Sequence, residues 1–139
     1  MKNVFTLTLM VFLSSLTISS FAQKMYKGKW TVKEYILTTY SSDGKTIVKG
    51  PLTVTPKDYW VEMDETKYNS FNNGRLITYN LKEDGDNLLL SRDDATGRHT
   101  VTLSNLKKGG NVLTLHTWAQ NAQNRDITVT KMTLEAKTD

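Results

Sequence analysis

The stretch that decides the fold is MYKGKWTVKEYIL, residues 25–37. Gly28 stands two residues ahead of Trp30, at the start of a run in which apolar and polar residues alternate. Alternation with a period of two is typical of a β-strand that buries one face. It predicts one face with Trp30, Val32 and Ile36 and an opposite face with Tyr35 and Leu37. We expect Trp30 to plug one end of a closed sheet.

Short β-rich runs continue along the rest of the chain, separated by turn residues at intervals of about 10–15 residues. Asp43-Gly44 supplies the positive φ that a tight hairpin needs. Pro51 marks an edge or a bulge, because proline cannot donate to a ladder. Residues 65–74 are the longest stretch without a strand pattern. The predicted strands are residues 30–40, 45–54, 58–64, 75–82, 87–92, 98–105, 111–119 and 126–136.

Eight strands with short connections favour a closed sheet. An open sheet of this kind would leave two long, β-branched edges available for aggregation, and closure removes them. A barrel of eight strands has an interior that side chains fill or that holds one small ligand. The prediction is therefore an all-β, eight-stranded antiparallel up-and-down barrel, with a two-sheet sandwich as the alternative.

The N-terminal residues have the features of a secretory signal. Lys2 supplies a positive charge, residues 4–13 are mainly apolar, and Ser20 and Ala22 form a small-x-small cleavage site. The apolar run is about half as long as the ~20 residues that span a bilayer, so a cleaved signal is favoured over an anchor. We expect a signal peptide in residues 1–22 and one barrel domain in residues 23–139. This domain would be periplasmic or extracellular, with no membrane span after cleavage.

Composition limits the kind of partner. The 139-residue chain contains no cysteine, so its core must hold an exported domain together without disulfides. The 18 Lys and Arg and 14 Asp and Glu residues give a net charge of +4 and are scattered along the sequence. A nucleic-acid-binding protein concentrates basic residues on one face, whereas the longest basic cluster here is Lys107-Lys108. We therefore expect no nucleic-acid partner.

Gly28-x-Trp30, at the mouth of the first of eight predicted strands and just after a signal peptide, resembles the lipocalin-like families of the calycin group. The likeness is strongest to the short lipocalin-like domains that bacteria export. It covers residues 23–139 in layout and Gly28 and Trp30 as a motif. The Thr-Asp-Tyr motif of lipocalins is not found near the sixth and seventh strands, and Arg125 precedes the last strand. The resemblance implies a barrel whose interior binds a small apolar or amphipathic molecule.

The two histidines, His99 and His116, fall on neighbouring predicted strands and could bind a metal only if they shared a face. Matching the apolar faces of the two strands places His99 inside and His116 outside. The pairs that this match predicts are Leu103 with Leu113 and Val101 with Leu115, around a turn at residues 107–109. A zinc site would also need further ligands. We therefore expect no metal site.

Polar side chains on the predicted inner face are the candidate ligand-binding groups. Glu34 has the parity of Trp30, and a buried carboxylate needs a partner or a shifted pKa. It therefore lies at a solvated rim, pairs with a lysine or arginine, or anchors a ligand. An inward tyrosine must place its hydroxyl on a partner, which can be a ligand. The candidate polar groups are Glu34, Tyr59, Tyr79 and His99, and the apolar wall is Met63, Ile77 and Val101.

Two functions from different classes agree with this pattern. We expect no enzyme and no cofactor, because the sequence contains no recognisable nucleophile or acid–base constellation. The first hypothesis is a carrier or sensor for one small hydrophobic or amphipathic molecule. The second is a protein-interaction module, such as an exported inhibitor, that acts through its loops and the outer side chains Trp60, His116 and Trp118. A cavity of roughly 300 Å³ or more would favour the first.

Overall fold

The computed structural model describes residues 25–137, and the predicted signal segment 1–22 lies outside them. These residues form nine β-strands. The strands are β1 (Gly28–Tyr40), β2 (Ile47–Val54), β3 (Tyr59–Met63), β4 (Lys67–Asn72), β5 (Arg75–Asp84), β6 (Asn87–Asp94), β7 (Gly97–Gly109), β8 (Val112–Gln120) and β9 (Ile127–Ala136). Residues 25–137 contain no helix with the length and apolar character needed to cross a membrane.

The sheet closes into an antiparallel barrel because β1 pairs with β9 on one edge and with β3 on the other. From β3 to β9 each strand pairs with the next one along the chain. Eight strands therefore form the ring, as an up-and-down barrel requires, and the predicted fold is confirmed. The sandwich alternative is wrong, because β1 and β9 pair over almost their full length, from Trp30–Ala136 to Tyr40–Ile127.

The eight strands of the ring are not the eight that the sequence predicts. β2 pairs with the second half of β1, from Tyr35 to Tyr40, while β3 pairs with the first half, from Gly28 to Thr31. β2 and β3 thus follow the same edge of β1 one after the other, with a break at residues 55–58. In the barrel, β2 and β3 together occupy a single strand position next to β1. β2 forms the part of the barrel wall that lies beyond the end of β3.

β4 occupies the eighth strand position of the barrel. It lies within residues 65–74, the stretch for which the sequence predicts no strand. β4 pairs with β3 through Tyr68–Met63 and with β5 through Tyr68–Tyr79. Its two faces are both mixed in polarity, which hides the alternation that marks a half-buried strand. The turn into β4 is tight, because the Asp64 carboxylate accepts hydrogen bonds from the backbone N–H groups of Thr66 and Lys67, at 2.8 and 2.7 Å.

A β-bulge in β1 changes which of its side chains face the interior. Val32 is opposite Leu134 on β9, whereas Glu34 is already opposite Thr133. One extra residue, Lys33, therefore lies on β1, and such an insertion reverses the facing of everything beyond it. The predicted faces are right for Trp30 and Val32 and wrong for the residues beyond the bulge. Tyr35 and Leu37 face inward, and Glu34 and Ile36 face outward.

A second bulge lies in β7 and makes the predicted β7–β8 pairing wrong. Ser104 is opposite His116, but Lys107 is opposite Thr114, with Asn105 between them at a φ of 52°. The strand then continues to Gly109, so the turn falls at residues 110–111 and not at 107–109. The observed partner of Leu103 is Thr117. His116 nevertheless remains on the outer face, as predicted.

Buried side chains fill one end of the barrel, which we call the closed end. Trp30 is 2% exposed, as predicted, and its indole N–H donates to the carbonyl of Tyr26 at 2.8 Å. The Tyr26 hydroxyl donates to Glu83 at 2.9 Å, and the Lys108 ammonium lies 5.9 Å from the Trp30 ring centroid. The other buried residues are Val32, Val61, Met63, Tyr68, Leu81, Leu88, Leu90, Leu103, Leu113, Leu115, Met132 and Leu134.

Candidate functional site: a cavity at the open end of the barrel

At the opposite, open end the interior holds a cavity of about 350 Å³. The lining combines hydroxyl and amide groups with an apolar wall. Its polar members are Tyr35, Tyr59, Tyr68, Tyr79, Ser70, Asn72, Thr117 and Thr130. Its apolar members are Leu37, Leu90, Val101, Leu103 and Met132. Leu90, Leu103 and Met132 also belong to the packed core, so they form the floor of the cavity.

Four tyrosines, from β1, β3, β4 and β5, dominate one side of the cavity. Tyr35 meets Tyr59 edge to face, with ring centroids 6.0 Å apart and planes at 73°. Tyr68 and Tyr79, directly opposite each other on β4 and β5, have the same separation and angle. This arrangement is the favoured one for aromatic pairs, because the edge of one ring carries positive and the face of the other negative charge. The rings therefore support one another on one side of the cavity.

Burial keeps the phenols of Tyr59 and Tyr68 neutral. It raises the pKa of Tyr59, although the hydrogen bond with Ser70 partly opposes the rise. Burial also raises the pKa of Tyr68 well above its ordinary value, and the neighbouring Tyr59 and Tyr79 add to this effect. Because an ionised phenol would be poorly solvated here, both hydroxyls remain protonated at neutral pH and can donate hydrogen bonds.

A polar cluster lies beside Tyr79 at the mouth of the cavity, at the end of β6. The Arg92 guanidinium carbon is 5.6 Å from the Tyr79 ring centroid. Arg92 Nη1 donates to Asp94 at 2.9 Å. The other Asp94 oxygen lies 3.0 Å from His99 Nε2 and accepts from both the backbone N–H and the hydroxyl of Thr96. These bonds, the one from the Thr96 hydroxyl above all, hold the pKa of Asp94 well below its usual range.

The predicted site residues separate into three groups. Tyr59, Tyr79 and Val101 line the cavity. Met63 lies in the packed core at the closed end, 1% exposed. Ile77 and His99 have the inward parity of their strands but are not lining residues, and His99 lies in the cluster at the mouth.

The prediction that Glu34 faces the interior is wrong. The bulge at Lys33 places Glu34 opposite Thr133, on the outer face, and gives its inward position to Tyr35. Since Glu34 does not line the cavity, the lining contains no Asp, Glu, Lys, Arg or His.

Sequence analysis missed several lining residues, each for an identifiable reason. Tyr35 and Leu37 were assigned to the outer face because the bulge was not foreseen, and the β4 residues were missed with their strand. One signal could have revealed β4: Asn73-Gly74 is a strong sequence marker of a two-residue hairpin. Both residues have positive φ, at 52° and 82°, as such a turn requires. The missed β4 residues are Tyr68, Ser70 and Asn72.

The outer side chains named for the interaction hypothesis do not form one surface. Trp60 is outside, as predicted, but it stacks on Phe71 with ring centroids 5.2 Å apart. The ammonium groups of Lys29 and Lys137 lie 5.9 and 5.1 Å from its ring centroid. Trp118, 43% exposed, is on β8, and β1 and β9 separate it from β3. The two tryptophans are therefore distinct surface features.

His99 and His116 lie on opposite faces, as predicted. Within the described part of the chain, no three His, Cys, Asp or Glu side chains come together as a metal site would require.

The described architecture, an eight-stranded antiparallel barrel with a tryptophan near the start of its first strand, is compatible with a lipocalin-like fold. Comparisons with protein-family models, with curated proteins and with solved structures give no match to this chain.

Proposed function

We propose that this protein is an exported, lipocalin-like carrier or sensor that binds one small amphipathic molecule in the cavity at the open end. The observation that carries the proposal is the cavity of about 350 Å³. An eight-stranded barrel is small enough for its own side chains to fill. Here they fill the closed end only.

The size of the cavity suits a single small molecule. Ligand pockets typically range from about 300 to 1,000 Å³, so this one is near the lower limit. At roughly 30 Å³ for each water-sized group, the cavity has room for about a dozen such groups. A molecule of this size would contact both the leucines of the floor and the hydroxyls above them.

The chemistry of the lining suits an amphipathic molecule better than a purely apolar one. Tyr59 and Tyr68 bring hydroxyls into a water-poor space where each needs a hydrogen-bond partner. Ser70, Thr117 and Thr130 add further hydroxyls, while Leu90, Leu103 and Met132 supply apolar contact.

A binding role is favoured over catalysis. Histidine, carboxylates and lysine, which often act as general acids and bases, do not line the cavity. Tyrosine can also take that role, but burial raises the pKa of the lining residues Tyr59 and Tyr68 and so makes them poor proton donors at neutral pH. The residues that line the cavity position and enclose a molecule, which is what a carrier or sensor needs.

Binding can be tested by calorimetric titration of the purified protein with decanol, a chain of suitable size with one polar end. We expect saturable binding of about one molecule for each barrel. Thr117→Phe, which places a ring in the cavity, should abolish it. Thr114→Phe is the matched control, because Thr114 is on the same strand but faces outward. Equal binding to both variants, or no binding of any ten-carbon probe to the unaltered protein, would overturn the proposal.

A further inference from the structure

We infer that the edge of β2 that faces away from β1, which we call the free edge, binds an extended, acidic segment of another protein as one further strand. The inference goes beyond the proposed function. It concerns the wall of the barrel and a protein partner, and it does not depend on what the cavity binds.

Among residues 25–137, β2 has a strand partner on one side only. It pairs with the second half of β1, and no strand lies along its other side. The cause is the length of β4, which ends at Asn72, opposite the first residue of β3, Tyr59. The wall therefore has no strand beside β2, and the backbone N–H and C=O groups of the free edge are open to a further strand.

The side chains of β2 leave apolar surface uncovered on both faces of the sheet. Ile47, Val48 and Leu52 are each more than half exposed. Residues directly opposite each other share a face. Ile47 is opposite Tyr40 on the outer face, whereas Leu52 is opposite Leu37, which lines the cavity on the inner face. Because a strand directs its side chains alternately to the two faces, one added strand would cover apolar surface on both.

The backbone of the free edge favours a protein partner over a lipid surface. Peptide groups that enter hydrocarbon need partners within the protein, and an open sheet edge lacks them. An extended protein segment supplies both donors and acceptors at the spacing of a strand. Pro51 has no N–H to donate, so pairing uses the residues on either side of it.

The charge of this segment indicates the kind of protein partner. Residues 45–57 contain Lys45, Lys49 and Lys57 and no Asp or Glu. The ion pairs that lysines make within the described part of the chain do not include these three. Asp43 precedes the segment, but its carboxylate accepts the backbone N–H of Lys45 within the turn, at 3.0 Å. Acidic side chains on the partner would balance this charge, whereas the same segment of a second copy would add three more lysines.

A synthetic peptide tests the inference. It alternates valine with glutamate over about eight residues, the length of a strand, carries a fluorophore and is titrated with the whole folded protein. By fluorescence anisotropy we expect saturable binding, about tenfold or more tighter than that of the same peptide with lysine for glutamate. The glutamate peptide with methylated backbone amides keeps its side chains but cannot donate, and should not bind. No binding of the glutamate peptide, or equal binding of any two of the three, would overturn the inference.

Amide hydrogen exchange shows where the peptide binds on the unaltered protein. The amides of residues 47–54 that point away from β1 should exchange quickly in the free protein and slowly in the complex, because the added strand accepts their hydrogen bonds. Protection confined to other strands would mean that the peptide binds elsewhere, and the inference would be wrong.

Charge reversal tests the lysines. Lys45→Glu combined with Lys49→Glu should weaken binding of the glutamate peptide about tenfold or more and strengthen binding of the lysine peptide. Lys82→Glu with Lys107→Glu is the matched control, because these lysines are exposed on β5 and β7; it should alter neither affinity more than about twofold. Unchanged affinities in the first variant would overturn the acidic partner. A dimer of the unaltered protein in sedimentation equilibrium that the peptide dissociates would make a second copy the occupant and overturn it as well.

Discussion

The two ends of the barrel are built by the same strands with different side chains. On β8, Leu113 and Leu115 are fully buried at the closed end, and the next inward residue, Thr117, lines the cavity. On β9, Leu134 and Met132 are buried, and Thr130 lines the cavity. β4 goes from a buried tyrosine to Ser70 and Asn72 in the same way. Stability and binding are therefore largely separated along these strands, except at residues such as Met132 that belong both to the core and to the cavity lining.

The largest effect should come from emptying the closed end. Trp30→Ala should lower the free energy of unfolding by about 3–5 kcal/mol, because it removes a large buried aromatic side chain and leaves a void. Denaturant titration measures the loss, with no ligand needed. Trp118→Ala is the control, since Trp118 is 43% exposed, and it should cost under about 1 kcal/mol. A loss below about 1 kcal/mol for Trp30→Ala would show that this tryptophan does not hold the barrel together.

Exchanging leucine and threonine between the ends should give opposite results at positions two residues apart. Leu115→Thr should destabilise the protein by about 2–5 kcal/mol, because it shortens a fully buried side chain and buries a hydroxyl. Thr117→Leu should leave the stability unchanged or raise it by up to about 2 kcal/mol, as cavity-filling substitutions do. It should also weaken the binding of a ten-carbon probe. Equal destabilisation by the two changes would mean that the open end is packed as tightly as the closed end.

Alkaline titration should affect the closed end through Tyr26. Burial, together with the hydrogen bond to Glu83, raises the pKa of Tyr26 to about 12, compared with about 10 in an unfolded chain. Because the pKa is higher in the folded protein, the protonated Tyr26 stabilises the fold. This contribution to the free energy of unfolding is fully present below about pH 10 and is lost as the pH rises toward about 12. In Tyr26→Phe, the free energy of unfolding should decrease less between these two pH values than in the unaltered protein. Denaturant titration at each pH measures the difference. A profile that Tyr26→Phe leaves unchanged would contradict this assignment.

The smallest effect should come from the cluster at the mouth. The pKa of Asp94 is lowered, mainly by the hydrogen bond from the Thr96 hydroxyl, so the stability that it provides is present above about pH 4 and is lost as the pH falls. Asp94→Asn should therefore destabilise the protein slightly at neutral pH and not at acid pH. Asp93→Asn, at the preceding residue of β6, is the matched control. A neutral-pH effect as large as that of Leu115→Thr would mean that the cluster helps to hold the barrel closed.

Much of the fold could be predicted because the alternation of side chains is local. Tyr59, Val61 and Met63 alternate with Trp60 and Glu62, and both faces of β3 lie as that pattern indicates. The same holds for Tyr79 on β5 and for Val101 on β7. These lining residues lie on parts of strands that contain no bulge. The alternation in the sequence therefore predicts correctly which face of the sheet each side chain occupies.

The sequence by itself determined that the chain forms antiparallel strands, that Trp30 is a core residue and that tyrosines enter the interior. Only the tertiary structure decided where the two bulges in the pairings of the closed ring fall, at Lys33 and near Asn105, and that residues 67–72 complete the ring. A bulge is fixed by the fit between two paired strands and not by the residues of one of them. Because a shift of one residue turns every later side chain to the other face, a single bulge exchanged Glu34 for Tyr35 in the interior and so left the cavity lining without a charge.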